Sequence, residues 1–327
     1  MAHLLVTGGA GYVGSHALLA LRAAGHSVVV IDDLRTGHAF LAGDAPLERC
    51  DIGDRAALER VLRGRGPFDG CLHFAASLLV PESVAKPLAY YRNNAGGSAT
   101  LLEACVEHGM RAFVFSSTCA TYGLPPRVPI DETMPQAPIN PYGASKLMVE
   151  RMLADAERAH GLRYAALRYF NAAGADAQGR AGECHEPEIH LIPSALLALA
   201  GKRGPLEVFG SDYPTRDGTC IRDYIHVTDL ADAHVQAIEA LLAGRAIGPR
   251  NLGTGLGASI REVLAAVERV AGRRVPTREA ARRPGDPPEL VADASRFRSE
   301  FGWTPQHSDL RTIVTTAWAW LRRWKGL

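Results

Sequence analysis

The sequence lacks the features that mark membrane, secreted and nucleic-acid-binding proteins. No run of about 18 apolar residues occurs, so no transmembrane helix is expected, and no charged segment precedes the first apolar run as in a signal peptide. The net charge of +1 argues against a general attraction to nucleic acid. The six cysteines show no C-x-x-C spacing, which favours reduced thiols in a cytoplasmic protein. The 327 residues suffice for one large domain or two.

A glycine-rich turn follows the first apolar run of the chain. The run His3–Thr7 leads into Gly8, Gly11 and Gly14, then a helical pattern, then an apolar run that ends at Asp32. Glycines let the backbone approach a pyrophosphate, the helix start supplies N–H donors, and the acid can bind ribose hydroxyls. This order of strand, turn, helix and strand predicts a dinucleotide site, and the charge of Asp32 favours NAD over NADP.

The alternation of strands and helices continues through the first half of the chain. We expect strands near residues 47–51, 68–73, 112–116 and 164–168, and helices near 56–62, 88–108 and 141–160. This pattern predicts an α/β fold with a doubly wound parallel sheet of the Rossmann type. In such sheets, ligands bind beyond the carboxyl ends of the strands.

The pattern changes after residue 175 to a loop-rich region. We expect helices near 192–199, 229–243 and 260–270, a strand near 221–227, and a C-terminal helix that carries three tryptophans. The sequence therefore predicts an NAD-binding domain at 1–175, to which 221–255 returns. Residues 176–220 and 256–327 would form a smaller C-terminal α/β lobe that binds the substrate and closes a cleft.

A tyrosine and a lysine stand four residues apart where a helix should begin. Tyr142 and Lys146 follow Pro141, which suits a first helical turn. Residues four apart share one helix face, so both side chains can point into one site. A nearby cation favours the phenolate and lowers the phenol pKa, which suits general acid–base catalysis.

Three motifs together resemble the extended short-chain dehydrogenase/reductase family: the glycine turn at 7–14, the strand end Ser116-Ser117-Thr118, and Tyr142-x-x-x-Lys146. Further stretches narrow the resemblance to the UDP-glucose 4-epimerases within that family. They lie at residues 73–76, 91–94, 167–171, 190–193, 212–215 and 222–227. The resemblance covers nearly the full chain.

The resemblance implies an NAD-dependent interconversion of UDP-glucose and UDP-galactose through a 4-keto sugar. Tyr142 would exchange the proton of the 4-hydroxyl, Lys146 would bind the nicotinamide ribose and lower the Tyr142 pKa, and Thr118 would hydrogen-bond the 4-hydroxyl. No metal is expected, because the oxidised cofactor and the phenol would carry the chemistry. His190 also has no other His or Cys at a ligand spacing that suggests a metal, since His185 is only a loose neighbour. The helices near 88–108 and 141–160 resemble those that pair in the family's dimer, so a homodimer is expected, with neither nucleic acid nor membrane as partner.

The resemblance also assigns ligand contacts by motif. The expected cofactor contacts are Gly8, Gly11, Tyr12, Val13, Gly14, Asp32, Asp33, Asp51, Ile52, Phe74, Ala75, Ala76, Asn93, Ser116, Tyr142, Lys146 and Tyr169. The expected substrate contacts are Thr118, Tyr142, Asn171, His190, Leu191, Arg222, Arg283, Asp286 and Leu290. Two departures concern the cofactor: Asp33 replaces the Asn of many relatives, and the segment 77–79 lacks a Lys that some relatives carry.

Three alternatives remain open from the sequence. A dehydratase or decarboxylase of the same fold would need an acid beside Thr118, where Cys119-Ala120-Thr121 follows instead. A 4-epimerase of another UDP-sugar, such as an N-acetylhexosamine, a pentose or a uronate, fits the same motifs. An NAD-binding regulator without catalysis would have no need of Tyr142, Lys146 and Thr118 together.

Overall fold

The protein was analysed as a computed structural model, which describes residues 1–283 and 285–327. The chain separates into two compact units. The first unit comprises Met1–Pro125, Glu132–Tyr169 and Ala231–Asn251, and the second comprises Pro126–Asp131, Phe170–Leu230 and Leu252–Leu327. These limits differ from the expected ones near 175, 220 and 255, and the assignment of cofactor and substrate to the two parts stays a prediction. None of the described helices is long and apolar enough to cross a membrane.

The strands are short, as expected for an α/β protein. In chain order they are β1 (His3–Thr7), β2 (Ser27–Asp32), β3 (Leu47–Arg49), β4 (Gly70–His73), β5 (Ala112–Thr118), β6 (Arg163–Tyr169), β7 (Asn171–Ala173), β8 (Leu206–Phe209), β9 (Ile221–Arg222), β10 (Tyr224–His226), β11 (Gly248–Leu252), β12 (Ala258–Ser259), β13 (Thr277–Ala280) and β14 (Glu289–Leu290).

The helices alternate with these strands. They are α1 (Tyr12–Ala23), α2 (Arg55–Arg65), α3 (Val80–Ala85), α4 (Pro87–Tyr90), α5 (Gly97–Glu107), α6 (Pro141–His160), α7 (Leu191–Leu199), α8 (Val227–Leu242), α9 (Ile260–Ala271), α10 (Ser295–Phe301) and α11 (Leu310–Lys325). Two 3-10 turns lie at Ala39–Ala42 and Cys119–Tyr122, and a π-helical segment lies at Tyr91–Gly96.

The first unit is built on a seven-stranded sheet with the order β11-β6-β5-β4-β1-β2-β3. The pairs from β6 to β3 are parallel, which confirms the predicted doubly wound sheet. The whole of β5 is buried and reads as a continuous apolar run that ends in hydroxyl residues, as parallel strands covered on both faces do. The carboxyl ends of β5 and β6 therefore present Ser116, Thr118 and Tyr169 at one edge.

The second unit has its own hydrophobic core. Helices α7, α9 and α11 pack around Leu196, Val263 and Ile313, all of which are fully buried. Short sheets surround this core, with the orders β10-β7, β12-β9-β14 and β13-β8. The expected single strand near 221–227 is two strands, because Arg222 and Tyr224 pair with different partners.

The expected helix near 88–108 is interrupted in the structure. It consists of α4, the π-helical segment Tyr91–Gly96, and α5. Such segments insert one residue per turn into a helix and recur at functional sites. The interruption lies at Asn93, which is one of the expected cofactor contacts.

Candidate active site

The turn between β1 and α1 has the shape that a bound pyrophosphate requires. Gly8 has a φ of +72°, and a Cβ at this position would lie 2.5 Å from the backbone nitrogen of Ala75. A Cβ on Gly14 would lie 2.2 Å from the carbonyl oxygen of Gly8. Among the described residues, no side chain caps the start of α1 after Gly11. The glycines therefore leave open a space that side chains would otherwise fill. This space lies beside the start of a helix, which favours anions.

Asp32 ends β2 with both carboxylate oxygens held by the backbone. Oδ2 accepts a hydrogen bond from the Ala10 nitrogen at 3.0 Å, and Oδ1 accepts one from the Leu34 nitrogen at 2.9 Å. Burial raises the pKa of this carboxyl, while the two backbone hydrogen bonds oppose that rise. The carboxylate is thus fixed in orientation next to the glycine turn, as binding of a ribose diol needs.

Arg35 is a member of this region that the sequence analysis missed. It donates to Asp33 and, at 2.8 Å, to the side-chain oxygen of Asn93, and its guanidinium lies 3.6 Å from Asp51. Three expected cofactor contacts from three separate segments therefore meet around one cation. The sequence did contain a signal for the contact between Arg35 and Asp33, because Arg35 is a basic residue two positions after Asp33.

The segment that follows β4 is tied to α6 by Asn94. Its side chain pairs with the backbone nitrogen and oxygen of Ser77 at 2.8 and 3.0 Å, and it donates to the Ser145 hydroxyl at 3.0 Å. Asn94 is buried within the π-helical segment. The remaining expected cofactor contacts lie in the first turn of α1, after β3 and after β4: Tyr12, Val13, Ile52, Phe74, Ala75 and Ala76.

The three expected catalytic side chains lie together at the carboxyl end of β5 and the start of α6. Asn140 caps α6 by accepting from the Gly143 nitrogen at 2.8 Å, so the helix begins beside Tyr142. The Lys146 Nζ donates to the Ser116 carbonyl at 2.8 Å and lies 6.0 Å from the centre of the Tyr142 ring. The Thr118 side chain lies close enough to the Tyr142 phenol to lower the pKa of that phenol.

Burial dominates the acid–base properties of this group. It raises the pKa of Tyr142 well above its ordinary value, and the Thr118 side chain opposes that rise. It also lowers the pKa of Lys146 to about 7, against the attraction of Glu150. The sequence predicts that Lys146 lowers the Tyr142 pKa, whereas in the structure the net direction for the phenol is upward. The physical reason is that desolvation disfavours the phenolate and the ammonium alike.

A buried ion pair supports α6 behind Lys146. Glu150, one turn further along, binds Arg168 of β6 through two parallel hydrogen bonds of 2.9 and 2.6 Å, and both side chains are only 4% exposed. Ser117 and Gln136 also donate to this carboxylate. The sequence analysis missed this pair, because a Glu and an Arg 18 positions apart carry no local signal.

In the second unit, the expected substrate contacts fall on strand and helix ends. The Asn171 nitrogen donates to the Asp223 carbonyl at 3.0 Å where β7 begins, and His190 directly precedes Leu191, the first residue of α7. His190 is held by Glu183 and Glu188, which raise its pKa to about 10 against the effect of burial.

The remaining expected substrate contacts are partly paired with one another. Arg222 forms an ion pair with Asp286, so part of its charge is already neutralised. The Arg283 guanidinium lies 3.9 Å above the Phe209 ring. Leu290 pairs in register with Arg222 between β14 and β9 and is half-buried. Pro284 of this loop lies outside the described residues.

Comparisons with known proteins identify the family of this chain. The sequence profile described as the NAD dependent epimerase/dehydratase family matches residues 4–253. A UDP-glucose 4-epimerase from Azospirillum brasilense is 55% identical over 320 residues, which cover 98% of this chain and 92% of that protein.

Two solved structures extend the comparison. The UDP-glucose 4-epimerase from Brucella ovis, solved with NAD, is 51% identical with a TM-score of 0.95 and covers 98% of each chain. The UDP-glucose-4-epimerase from Stenotrophomonas maltophila, solved with NAD and formylated UDP-arabinopyranose, is 41% identical with a TM-score of 0.95 and covers 100% of this chain and 99% of that chain.

Proposed function

The chain belongs to the NAD dependent epimerase/dehydratase family, and from this membership we infer that it is an NAD-dependent UDP-glucose 4-epimerase, which interconverts UDP-glucose and UDP-galactose. The observation that carries the chemistry is the meeting of Thr118, Tyr142 and Lys146 at the carboxyl end of β5. The first unit also offers the glycine turn and the fixed carboxylate of Asp32 for NAD.

The glycine turn and Asp32 would hold NAD, which would supply the hydride-transfer chemistry at carbon 4. Tyr142 takes the proton of the 4-hydroxyl in the first half of the reaction and gives a proton back to the 4-oxygen in the second. Thr118, whose side chain lies near the phenol, holds the 4-oxygen next to Tyr142. Between the two halves, the 4-keto sugar turns about its bond to the diphosphate. Because one hydride and one proton leave and return, the reaction has no net redox change.

The acid–base role of Tyr142 depends on positive charge in the site. A phenol with a pKa raised by burial holds its proton, so it needs a nearby cation to become the base of the first half. Lys146 supplies that cation when it is protonated, and its hydrogen bond to the Ser116 carbonyl fixes its position. This assigns Tyr142 to proton transfer and Lys146 to electrostatic support.

Removal of the phenol oxygen tests the assignment. Tyr142→Phe should lower the turnover of UDP-galactose by about 10²–10⁴-fold, the usual contribution of general acid–base catalysis. Tyr164→Phe is the matched control, because Tyr164 is a buried tyrosine at the opposite end of β6. A folded Tyr142→Phe variant with wild-type turnover would contradict the role of Tyr142.

For the substrate, we propose that the second unit binds the UDP-sugar through Asn171, His190, Leu191, Arg222, Arg283, Asp286 and Leu290. A guanidinium fork suits a diphosphate, which supports Arg222 and Arg283 as its contacts. Because Asp286 pairs with Arg222, diphosphate binding would have to share or replace that ion pair. Arg283→Met removes one of the two guanidinium groups proposed to bind the diphosphate. This variant should raise KM for UDP-galactose more than it lowers kcat. An unchanged KM would show that Arg283 is not part of the site.

We also propose that the protein is a cytoplasmic homodimer. Apolar side chains on α3, α4 and α6 of the first unit are exposed: Val84 by 62%, Leu88 by 74% and Met148 by 41%. An exposed apolar patch of this kind suits a second copy of the chain. Light scattering should give twice the chain mass, and Leu88→Asp should shift the protein toward monomer. The free thiols of all six cysteines suit a reducing compartment, which cell fractionation would test.

A further inference from the structure

The loop before α7 brings together side chains that ligate metals. Four residues form what is here named the His–Glu cluster: Glu183, His185, Glu188 and His190. One ligand atom from each lies within 4.8 Å of the others. The expectation that His185 is only a loose neighbour of His190 is wrong, because the two ring centres are 5.0 Å apart.

The distances between the histidine nitrogens and the carboxylate oxygens of the cluster are short. His190 Nδ1 lies 2.7 Å from a Glu183 oxygen and 2.9 Å from a Glu188 oxygen. His185 Nδ1 lies 2.9 Å from the same Glu183 oxygen and 4.0 Å from Glu188. Each Nδ1 carries at most one hydrogen, so His190 cannot make two full hydrogen bonds at once. A cation at the centre would be shared by all four residues.

The ligand types and spacings fit a closed zinc site. Imidazole nitrogens and carboxylate oxygens bind Zn²⁺ at about 2.0–2.2 Å in a tetrahedron, which separates neighbouring ligand atoms by roughly 3.3–3.6 Å. The separations of 2.7–4.0 Å between the histidine nitrogens and the carboxylate oxygens bracket this value. With both histidines neutral, the two carboxylates also match the charge of a divalent ion.

The loop is held in place around the cluster. The Glu183 side chain is 9% exposed, and its backbone carbonyl accepts from the Trp320 indole at 3.0 Å. Glu188 accepts from the His190 backbone nitrogen at 2.8 Å, and its own carbonyl accepts from Arg203 at 3.3 Å. The two carboxylates are therefore positioned from both ends of the loop, as a preorganised metal site requires.

We propose that the His–Glu cluster binds one Zn²⁺ ion as a structural site. All four positions of a tetrahedral zinc would be filled by protein atoms, so the ion would take no part in the sugar chemistry. Its effect would be to fix the loop that leads into α7, including His190 and Leu191. The His190 Nδ1 would then belong to the metal, and any contact of this residue with the substrate would use other atoms.

The first test measures zinc directly. The full chain, without an affinity tag and purified without chelators, should contain about one zinc per chain by elemental mass spectrometry, as a four-ligand site predicts. After removal of metal by a chelator, titration with zinc in a competing chelator buffer should restore the same stoichiometry and raise Tm. A wild-type chain that does not take up stoichiometric zinc from such a buffer would overturn the proposal.

Variants separate the metal site from a simple ion-pair network. Loss of a residue that only hydrogen-bonds a metal ligand weakens metal binding by about 10–100-fold. Because His185 and Glu188 would bind zinc directly, His185→Gln and Glu188→Gln should each weaken zinc binding by more than this. Glu186→Gln is the matched control, because Glu186 lies in the same loop but pairs with Lys325. The control should bind zinc as the wild type does. Equal zinc affinity in His185→Gln and wild type, both folded by circular dichroism, would also overturn the proposal.

Discussion

Replacing Glu150 by Gln should destabilise the first unit far more than an equivalent change on the surface of the same helix. The carboxylate receives two hydrogen bonds from Arg168, at 2.9 and 2.6 Å, and one each from Ser117 and Gln136. The amide of Gln would keep the volume but lose the charge, and its NH₂ group would face donors. Arg168, 4% exposed, would remain as a buried and uncompensated cation.

The expected cost follows from that burial. Removing one partner of a buried ion pair costs about 3–5 kcal/mol of the free energy of unfolding. At about 2–4 °C per kcal/mol for large domains, Tm should fall by roughly 10 °C. Asp155→Asn is the matched control on α6, because Asp155 pairs with Arg158 while both side chains are at least 70% exposed. This exposed pair should be worth about 0–1 kcal/mol.

The assay is urea unfolding of wild type, both single variants, and the double variant Glu150→Leu with Arg168→Met. The double variant should recover much of the lost stability, since paired apolar replacements of buried ion pairs are often neutral. Glu150 also holds up the pKa of Lys146, so Glu150→Gln should reduce turnover most just below pH 7, where Lys146 is protonated in the wild type and less so in the variant. Equal destabilisation by Glu150→Gln and Asp155→Asn would refute the reasoning from burial.

Three further predictions concern the sugar, the lysine and the cofactor. Leu290→Tyr should remove activity on N-acetylated UDP-sugars and spare the hexoses, since a misfit of one or two methylenes is worth about 1–3 kcal/mol; an unchanged activity ratio would remove Leu290 from the pocket at carbon 2. Burial lowers the pKa of Lys146 from 10.5 to about 7, so its contribution to stability is full above pH 10.5 and is lost as pH falls through 7. Lys146→Met should therefore abolish this rise in unfolding free energy, and parallel pH curves for the two proteins would contradict it. Denaturation of the purified protein should release NAD or NADH, as Asp32 predicts, and NADP as the main species would contradict that role.

The sequence was sufficient to predict the features that depend on local patterns of residues. The spacing of the apolar residues predicted α6 with the limits that the structure has. The glycine pattern that begins at Gly8 predicted the turn that the structure shows. Both features could be predicted because each depends on one short stretch of sequence. The joint occurrence of Thr118, Tyr142 and Lys146 led to the prediction of a catalytic group, and the structure brings those three side chains near one another. Their catalytic roles stay a prediction.

Contacts between residues far apart in the chain could not be predicted from the sequence, for a physical reason. Glu150 with Arg168, and Arg35 with Asn93, join residues 18 and 58 positions apart, and only the fold makes them neighbours. The direction of the Tyr142 pKa also depends on burial, which no residue spacing reveals. The strand Gly248–Leu252, which completes the sheet, contains Gly, Pro and Arg and so lacks a strand pattern.

The two hydrogen bonds that hold Asp32 make any conversion of the enzyme to NADP a problem of backbone redesign. Asp32→Ala would remove the charge that repels a 2′-phosphate, but it would also take the acceptors from the Ala10 and Leu34 nitrogens. Leu34 has a φ of +60°, a conformation that a leucine adopts only when its surroundings enforce it. A productive exchange would therefore combine Asp32→Asn, which keeps one acceptor, with Leu34→Gly, which tolerates the turn without that support. Arg35 is the neighbouring cation, but its guanidinium already binds Asp33 and Asn93, so the redesign would also have to release it for the added phosphate.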